Sequence, residues 1–443
     1  MVKKILPRTL GIVYAFTLAV PLIGFAADDS ATENTTAKRI PLEDVQRFSN
    51  AISEIKKYYV KPVDDKELFD NAIRGMVGSL DPHSAYLDEE EYQELQTSTS
   101  GEFGGLGIEV TMEDGVVKVI TPLVDTPAFK AGIKSGDYII KLGKESVQGL
   151  TLKDAVNLMR GKAGSPIELT VLRKGASKPL TFDLIREVIQ IKSVKSKLLS
   201  EGYGYVRLTQ FQAQTGKDML KAIAQLKQQS NGKLKGLILD LRNNPGGLLD
   251  SAIQVSDAFL SNDKSGKQEL IVYTEGRLPG SKFTALANPG DVLDNAPIVV
   301  LINNGSASAS EIVAGALKDN KRALILGTKS FGKGSVQTVL PLDAKTGIKL
   351  TTALYYTPSG TSIQAKGIVP DIVVEEMDVP KTAQKKSDLT GFSEADLSGH
   401  IINKNNTENK AAKNEVDTNL IHEDYQLYAA LTVLEGMALA VNR

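Results

Sequence analysis

The chain contains no cysteine and no tryptophan, and only three histidines: His83, His400 and His422. The missing thiols exclude a cysteine nucleophile, disulfides, Cys-ligated zinc, iron–sulfur clusters and a lipidated-cysteine anchor. Any hydrolytic chemistry must then use one of three imidazoles or do without. Basic and acidic side chains nearly cancel, 52 against 53, so there is neither a basic field for nucleic acid nor an acidic tail. Aromatic residues make up 6% of the chain, which argues against a sugar-stacking surface or an aromatic cage. The 443 residues suffice for two to four domains with full cores.

The first residues read as a targeting segment. Lys3, Lys4 and Arg8 precede an apolar run over residues 10–25, and Gly24 and Ala26 supply the small side chains of a cleavage site. Residues 1–26 are therefore expected to be a signal peptide and the mature protein to be exported; an uncleaved segment would leave it membrane-associated. Residues 28–40 are polar. Apolar residues then recur at helical spacing from residue 41 onwards, which predicts a helical region over 41–100. Residues 101–187 carry short β-rich runs separated by glycines, with one amphipathic helix near 152–159, and suit a small β-barrel-like binding module. Residues 190–376 alternate apolar strands (237–239, 298–302, 323–326) with helices (216–229, 247–259, 308–319), the order of an α/β layered domain. Residues 379–418 are rich in Lys, Asn and Ser and read as a linker. Residues 419–443 resume a helical pattern whose apolar face needs a partner, either the chain's own α/β domain or another subunit.

Chemistry concentrates in residues 303–337. Asn303-Asn304-Gly305-Ser306-Ala307-Ser308-Ala309-Ser310-Glu311 follows a buried strand and opens a helix, where first-turn N–H groups favour a developing negative charge. A serine there suits a nucleophile and equally a helix cap. In Phe331-Gly332-Lys333-Gly334-Ser335-Val336-Gln337 a lysine is flanked by glycines. Desolvated, its amine could accept a serine proton, with Gln337 placed to orient it; an ordinary loop lysine is the alternative. Asp240-Leu241-Arg242-Asn243-Asn244-Pro245-Gly246-Gly247 ends a strand in a glycine loop able to offer half of an oxyanion hole. Residues 327–333 imitate a phosphate loop, but the hydroxyl needed at the eighth position is replaced by Gly334, which argues against nucleotide binding. The three histidines sit in a helical region, a linker and the start of the terminal helix, so none suits a general base. No metal motif is present, and no metal or cofactor is expected.

The segments NNGSASASEIVAGAL and FGKGSVQ, with Lys333 standing 25 residues after Ser308, resemble the carboxyl-terminal processing protease family. DPHS at 81–84, DLRNNPGG, and LTTALYYTPSGTSIQAKGIVPDI at 350–372 extend the resemblance. It implies an α/β multidomain protein: a crotonase-like (ClpP/crotonase β-spiral) protease core with an inserted PDZ domain and helical N- and C-terminal regions. It further implies a serine endopeptidase with Ser308 as nucleophile, Lys333 as general base and Gln337 as its orienting partner. The oxyanion donors would be the N–H of Ala309 and of Gly246 or Gly247. Ser306 and Ser310 would be structural, with Ser310 as a helix cap. Gly105-Leu106-Gly107-Ile108 matches a PDZ carboxylate-binding loop. The implied substrates are exported periplasmic proteins with apolar C-terminal tails. The family also has members that work with adaptor proteins, and the helices at both ends suggest a homo-oligomer. The competing reading is a PDZ scaffold that presents tails to another enzyme.

Overall fold

The computed structural model describes residues 40–262, 265–380 and 420–441. The signal peptide expected at 1–26, nearly all of the linker expected at 379–418, and His400 lie outside the described residues. Of the described residues, those up to Leu68 form one compact unit and those from Phe69 onwards another. The first holds helix α1 (Leu42–Tyr58), whose apolar Val45, Ile55 and Tyr58 are exposed. Helix α2 (Asp65–Gly78) runs across the division.

The region from 81 to 100 is not wholly helical. After a turn at Asp81, strand β1 (Ala85–Leu87) precedes helix α3 (Glu89–Ser100). Three residues are too few for a period to declare itself in sequence, and β1 exists because it pairs with a strand far along the chain. Helix α3 starts with a capping box: the Asp88 carboxylate accepts from the Glu91 N–H, and the Glu91 carboxylate from the Asp88 N–H. Arg74 donates to both acids and ties α2 to this start.

A small β domain is inserted next. Strand β2 (Glu102–Gly105) leads in, and β3 (Ile108–Glu113), β4 (Val116–Pro122), the helical turn α4 (Pro127–Lys130), β5 (Tyr138–Leu142) and β6 (Glu145–Ser146) follow. Helix α5 (Leu152–Met159), capped by Thr151 and Asp154, precedes β7 (Pro166–Leu172), β8 (Leu180–Ile185) and β9 (Glu187–Gln190). Val117, Val119, Ile139, Leu169 and Val171 alternate inward to form its core with Leu106 and Ala155. Entry strand β2 pairs antiparallel with exit strand β9, so the domain leaves the chain where it entered, the geometry that lets an insertion fold without disturbing its host.

The main domain comprises β10 (Val194–Ser200), β11 (Tyr203–Leu208), α6 (Thr215–Gln229), β12 (Gly236–Asp240), α7 (Leu249–Asp257), β13 (Leu270–Gly276), β14 (Phe283–Leu286), β15 (Ile298–Ile302), α8 (Ala309–Asp319), β16 (Leu324–Gly327), β17 (Ser335–Pro341), β18 (Gly347–Tyr356) and β19 (Ile372–Val373). Its six-stranded sheet runs β10-β11-β12-β15-β16-β19, parallel from β11 onwards. Strands β17 and β18 form a hairpin in a second sheet, where β18 also pairs with β1 and β13.

The apolar runs in β12 and β15 are continuous because both faces of the parallel sheet are covered. Leu237, Leu239, Ile298, Val300 and Ile302 point to one side, into a core with α6, α7 and α8. Ile238, Val299 and Leu301 point to the other, where Leu420, Leu427, Ala430, Leu431, Leu434 and Ala438 meet them. These come from helices α9 (Leu420–Glu423) and α10 (Tyr425–Val441). Of the two partners open to the terminal helix in sequence, the chain's own sheet takes its apolar face, because that sheet face would otherwise stand in water.

The docked helices also hold a buried ion cluster. Arg242 donates to both carboxylate oxygens of Asp240 at 3.0 and 2.8 Å, to both of Asp424 at 2.8 and 2.6 Å, and to Gln426 Oε1 at 3.1 Å. Tyr205 donates its hydroxyl to Asp240. Burial opposes the Arg242 charge, but the carboxylates of Asp424 and Asp240 outweigh it and strengthen protonation. Conversely, burial pushes the Asp424 carboxyl up and Arg242 pulls it net below the ordinary range. Asp424→Ala leaves a buried guanidinium half paired. It is expected to cost about 2 kcal/mol of stability, less than for a fully buried pair because Asp424 is partly exposed; a lowered denaturant midpoint in the full chain checks this.

Candidate active site

The carboxyl ends of β12, β15 and β16 open into three loops that converge, the usual place for a site on a parallel sheet. Two of these loops are laced together. Asn303 Oδ1 accepts from the Asn243 N–H at 2.9 Å, and Asn303 Nδ2 donates to Asn243 Oδ1 at 2.9 Å. Ser306 donates to the Leu241 carbonyl and Ser310 to the Asn244 carbonyl. Ser310 is thus an inter-loop tie, not the helix cap expected from sequence; the cap position belongs to Ser308, one residue before α8.

Ser308 stands alone among these serines. Its φ of 53° and ψ of −113° place a non-glycine residue in a sparsely populated region, a strain that persists only when surroundings impose it. Its backbone carbonyl accepts from the Glu311 N–H. Its half-buried hydroxyl meets the hydroxyl of Tyr355, which donates to the Lys333 carbonyl. Tyr355 itself is buried, and burial holds its phenol neutral.

Lys333 lies in the loop between β16 and β17 and lines the same cleft as Ser308 and Gln337, a cavity of about 450 Å³. Burial depresses its pKa below the usual lysine value, and the like charge of Lys349 adds to this; Asp81 and Glu311 oppose it. Lys333 Nζ has no hydrogen-bond partner among the described residues. Gln337 Nε2 donates to Ser335 Oγ at 3.0 Å and to Thr351 Oγ1 at 3.3 Å.

The glycine loop presses directly on the serine. A Cβ on Gly246 would lie 2.8 Å from Ser308 Cβ and one on Gly247 2.1 Å from the Phe211 carbonyl, and both have positive φ, so neither position admits a side chain. The Gly246 N–H is given to Asn244 Oδ1 at 2.9 Å. The N–H groups of Gly247 and Ala309 have no acceptor among the described residues, and Ala309 opens α8.

In the inserted domain, Gly105 ends β2, Ile108 starts β3, and Leu106 and Gly107 form the turn between them. The Leu106 and Gly107 carbonyls accept from Ala128 and Leu123, and their own N–H groups have no acceptor among the described residues. All four residues line a groove of about 140 Å³ with Phe103, Val110, Val156, Met159 and Arg160.

Comparison with known proteins bears on this arrangement. Residues 202–374 match Peptidase family S41, residues 104–184 the PDZ domain, and residues 20–91 the activating protease CtpB N-terminal domain. A carboxy-terminal-processing protease of Bartonella bacilliformis is 45% identical over 437 residues, spanning 98% of this chain and 96% of its own. The chain belongs to the carboxy-terminal processing protease family. The carboxy-terminal processing protease CtpA of Bacillus subtilis is 36% identical over 78% of this chain and 72% of its own. The solved photosystem II D1 C-terminal processing protease is 32% identical, covering 74% of this chain and 86% of that one at a TM-score of 0.43. The protein is a serine-type protease of family S41 carrying a PDZ domain, and the scaffold reading gives way to the protease reading.

Several residues of this protease site escaped sequence reasoning. Glu311 is fully buried, and its carboxylate accepts four hydrogen bonds: from Ser308 N at 2.8 Å, Lys333 N at 2.9 Å, Gly332 N at 2.6 Å and Ser330 Oγ at 2.6 Å. It joins the serine loop to the lysine loop. Its signal in sequence was a lone carboxylate in the first turn of an otherwise small and apolar helix. Tyr355 and Thr351 come from β18, and nothing local marks them. His83 was read as part of a helical region; it sits in the turn before β1, beside Lys333 and Lys349, which hold its pKa down after burial does.

Proposed function

We propose that this protein is an exported endopeptidase that cleaves polypeptides with apolar C-terminal tails through a Ser308–Lys333 dyad. The observation that carries the reading is the single cleft in which a strained Ser308, a desolvated Lys333 and two unused N–H donors meet. Ser308 Oγ attacks the scissile carbonyl and its proton passes to the neutral Lys333 amine. The developing oxyanion is held by the N–H groups of Ala309 and Gly247, since that of Gly246 already serves Asn244. Lys333 then protonates the leaving amine, giving an acyl-enzyme. Water, deprotonated by Lys333, releases the acid and restores Ser308. Gln337 turns its carbonyl oxygen to the lysine and keeps it oriented.

Substrate choice belongs to the inserted domain. The loop Gly105-Leu106-Gly107-Ile108 binds the terminal carboxylate with its free N–H groups, and the apolar groove takes the last side chain. Export rests on the basic, apolar and small-residue order of residues 1–26, with the periplasm as destination; no described helix is long and apolar enough to cross a membrane. The domain limits read from sequence, 41–100, 101–187, 190–376 and 419–443, go with this reading. Adaptor use and self-assembly are part of it too; with the C-terminal helix docked by its apolar face, assembly would use the exposed side of α1.

The test is to incubate purified full-length protein, without nucleotide, with an unfolded polypeptide ending in apolar residues, and with the same polypeptide ending in aspartates. Fragments are expected from the first substrate and about ten-fold fewer from the second, one apolar pocket contact being worth roughly that ratio. Intact substrate in both reactions would overturn the protease reading; equal cleavage would overturn the tail preference alone.

A further inference from the structure

The turn Asp81-Pro82-His83-Ser84 has no part in the dyad chemistry above, yet it is bound to the strand behind it. Asp81 Oδ1 accepts from the N–H groups of His83 at 2.8 Å and Ser84 at 3.0 Å, and Oδ2 from Ser84 Oγ at 2.6 Å. Oδ1 also accepts from Thr351 Oγ1 at 3.1 Å, and Ser84 Oγ accepts from the Thr351 N–H at 3.1 Å. Next to it, β1 pairs Ala85 with Lys349 of β18. The Ser84 hydroxyl, chiefly, holds the Asp81 carboxyl below the usual carboxylate range, against the effect of burial.

From this contact, and resting on the dyad reading, we infer that Thr351, held by Asp81, is a positioning residue that fixes which end of the Gln337 amide faces Lys333. Hydrogen-bond polarity dictates the orientation. An ionised carboxylate can only accept, so the Thr351 hydroxyl must spend its one proton on Asp81. It then presents only lone pairs to Gln337, which must meet them with its NH2 group, as it also meets Ser335 Oγ. The carbonyl oxygen of Gln337 is thereby left as the free end, the end a lysine amine or ammonium can donate to. An unheld Thr351 could donate to the amide oxygen instead, and Gln337 could turn its NH2 toward Lys333, where it would oppose the donors of the ammonium or occupy the lone pair with which the neutral amine takes the Ser308 proton. The charge of Asp81 has a second, separable effect. Lys333 is faced by Lys349 and Tyr355 from β18, by Glu311 from α8, and by Asp81 and His83 from this turn.

Four variants of the full chain test this on an unfolded substrate. Thr351→Val removes only the hydroxyl and is expected to lower kcat about 10- to 100-fold with KM within about two-fold, the size of a loss from misorientation. Thr351→Ser should recover most of that loss. In the Thr351→Val background, Gln337→Glu should also restore kcat at least about five-fold at a pH above the acid limb, because a carboxylate presents an acceptor whichever way it turns, while its charge moves that limb upward. Asp81→Asn keeps an oxygen for the turn and for Thr351 but drops the charge; its acid limb should move to lower pH, since losing a nearby anion makes the Lys333 ammonium easier to deprotonate. Wild-type kcat in Thr351→Val, or no gain from Gln337→Glu, would each overturn the inference while wild-type cleavage stands; an acid limb of Asp81→Asn that stays or moves upward would overturn the charge effect alone. A wild-type protein that cleaves nothing would overturn the dyad reading with it.

Discussion

Ser308→Ala and Lys333→Met are each expected to lower kcat/KM by at least about 10⁴-fold, and the double variant to be no worse than either alone. Groups that act as one unit in a single proton transfer lose nearly everything with the first removal, so their effects do not add. The residual rate would come from the Ala309 and Gly247 N–H groups and from tail binding, which neither substitution touches. The pH dependence has a definite sign. As the proposed base Lys333 would work as the neutral amine, and burial, followed by the charge of Lys349, depresses its pKa from the usual lysine value. Activity should therefore be full above the depressed pKa and fall tenfold per pH unit below it, with a midpoint below the ordinary lysine value. A profile of kcat/KM on one unfolded substrate measures this. A Lys333→Met protein that cleaves at the wild-type rate would remove the lysine from the mechanism.

Glu311→Ala is the second large effect. The buried carboxylate accepts from Ser308 N and Lys333 N through one oxygen, and from Ser330 Oγ and Gly332 N through the other. Removing it strands four donors away from water, at about 1–3 kcal/mol each before relaxation. The strained Ser308 backbone and the Lys333 loop also lose a group that sets them relative to each other. Activity is expected to drop at least about 10³-fold, with a clear fall in the thermal midpoint. Glu311→Gln distinguishes these two effects. An amide has one oxygen and one NH2 group, so it can satisfy one pair of donors and must face the other pair with hydrogens. Glu311→Gln should therefore fold better than Glu311→Ala and still lose most activity. Near-wild-type turnover in folded Glu311→Gln would show that this carboxylate only supports the fold.

The C-terminal helices enter the same picture through Arg242. It stands immediately before the Asn243–Asn303 tie and four residues before Gly246, and Asp424 holds its outer side. A segment far from Ser308 in sequence thus braces the strand end from which the Gly246-Gly247 loop departs.

Much of the protein was legible in its residues alone. The absence of cysteine and the poor placement of three histidines left a serine hydrolase in need of an amine, and the glycine-flanked Lys333 stood in the segment where one was wanted. The helix near 308–319 and the apolar strands near 298–302 and 323–326 were visible because their signals are local: period, small residues at a turn, and continuous β-branched runs. What tertiary structure decided was every contact that joins distant segments. Period cannot show that β1 pairs with β18, that the terminal helix covers its own sheet, or that Ser310 ties a neighbouring loop instead of capping its helix. Nor can it show that Gly246 gives its N–H to Asn244, leaving Gly247 free, or that Glu311 and Thr351 stand behind the serine, lysine and glutamine. The physical reason is the same throughout. Sequence records each residue's own capacity to donate, accept, bury or turn, whereas partner choice depends on which groups the fold brings within hydrogen-bond reach of one another and shuts away from water.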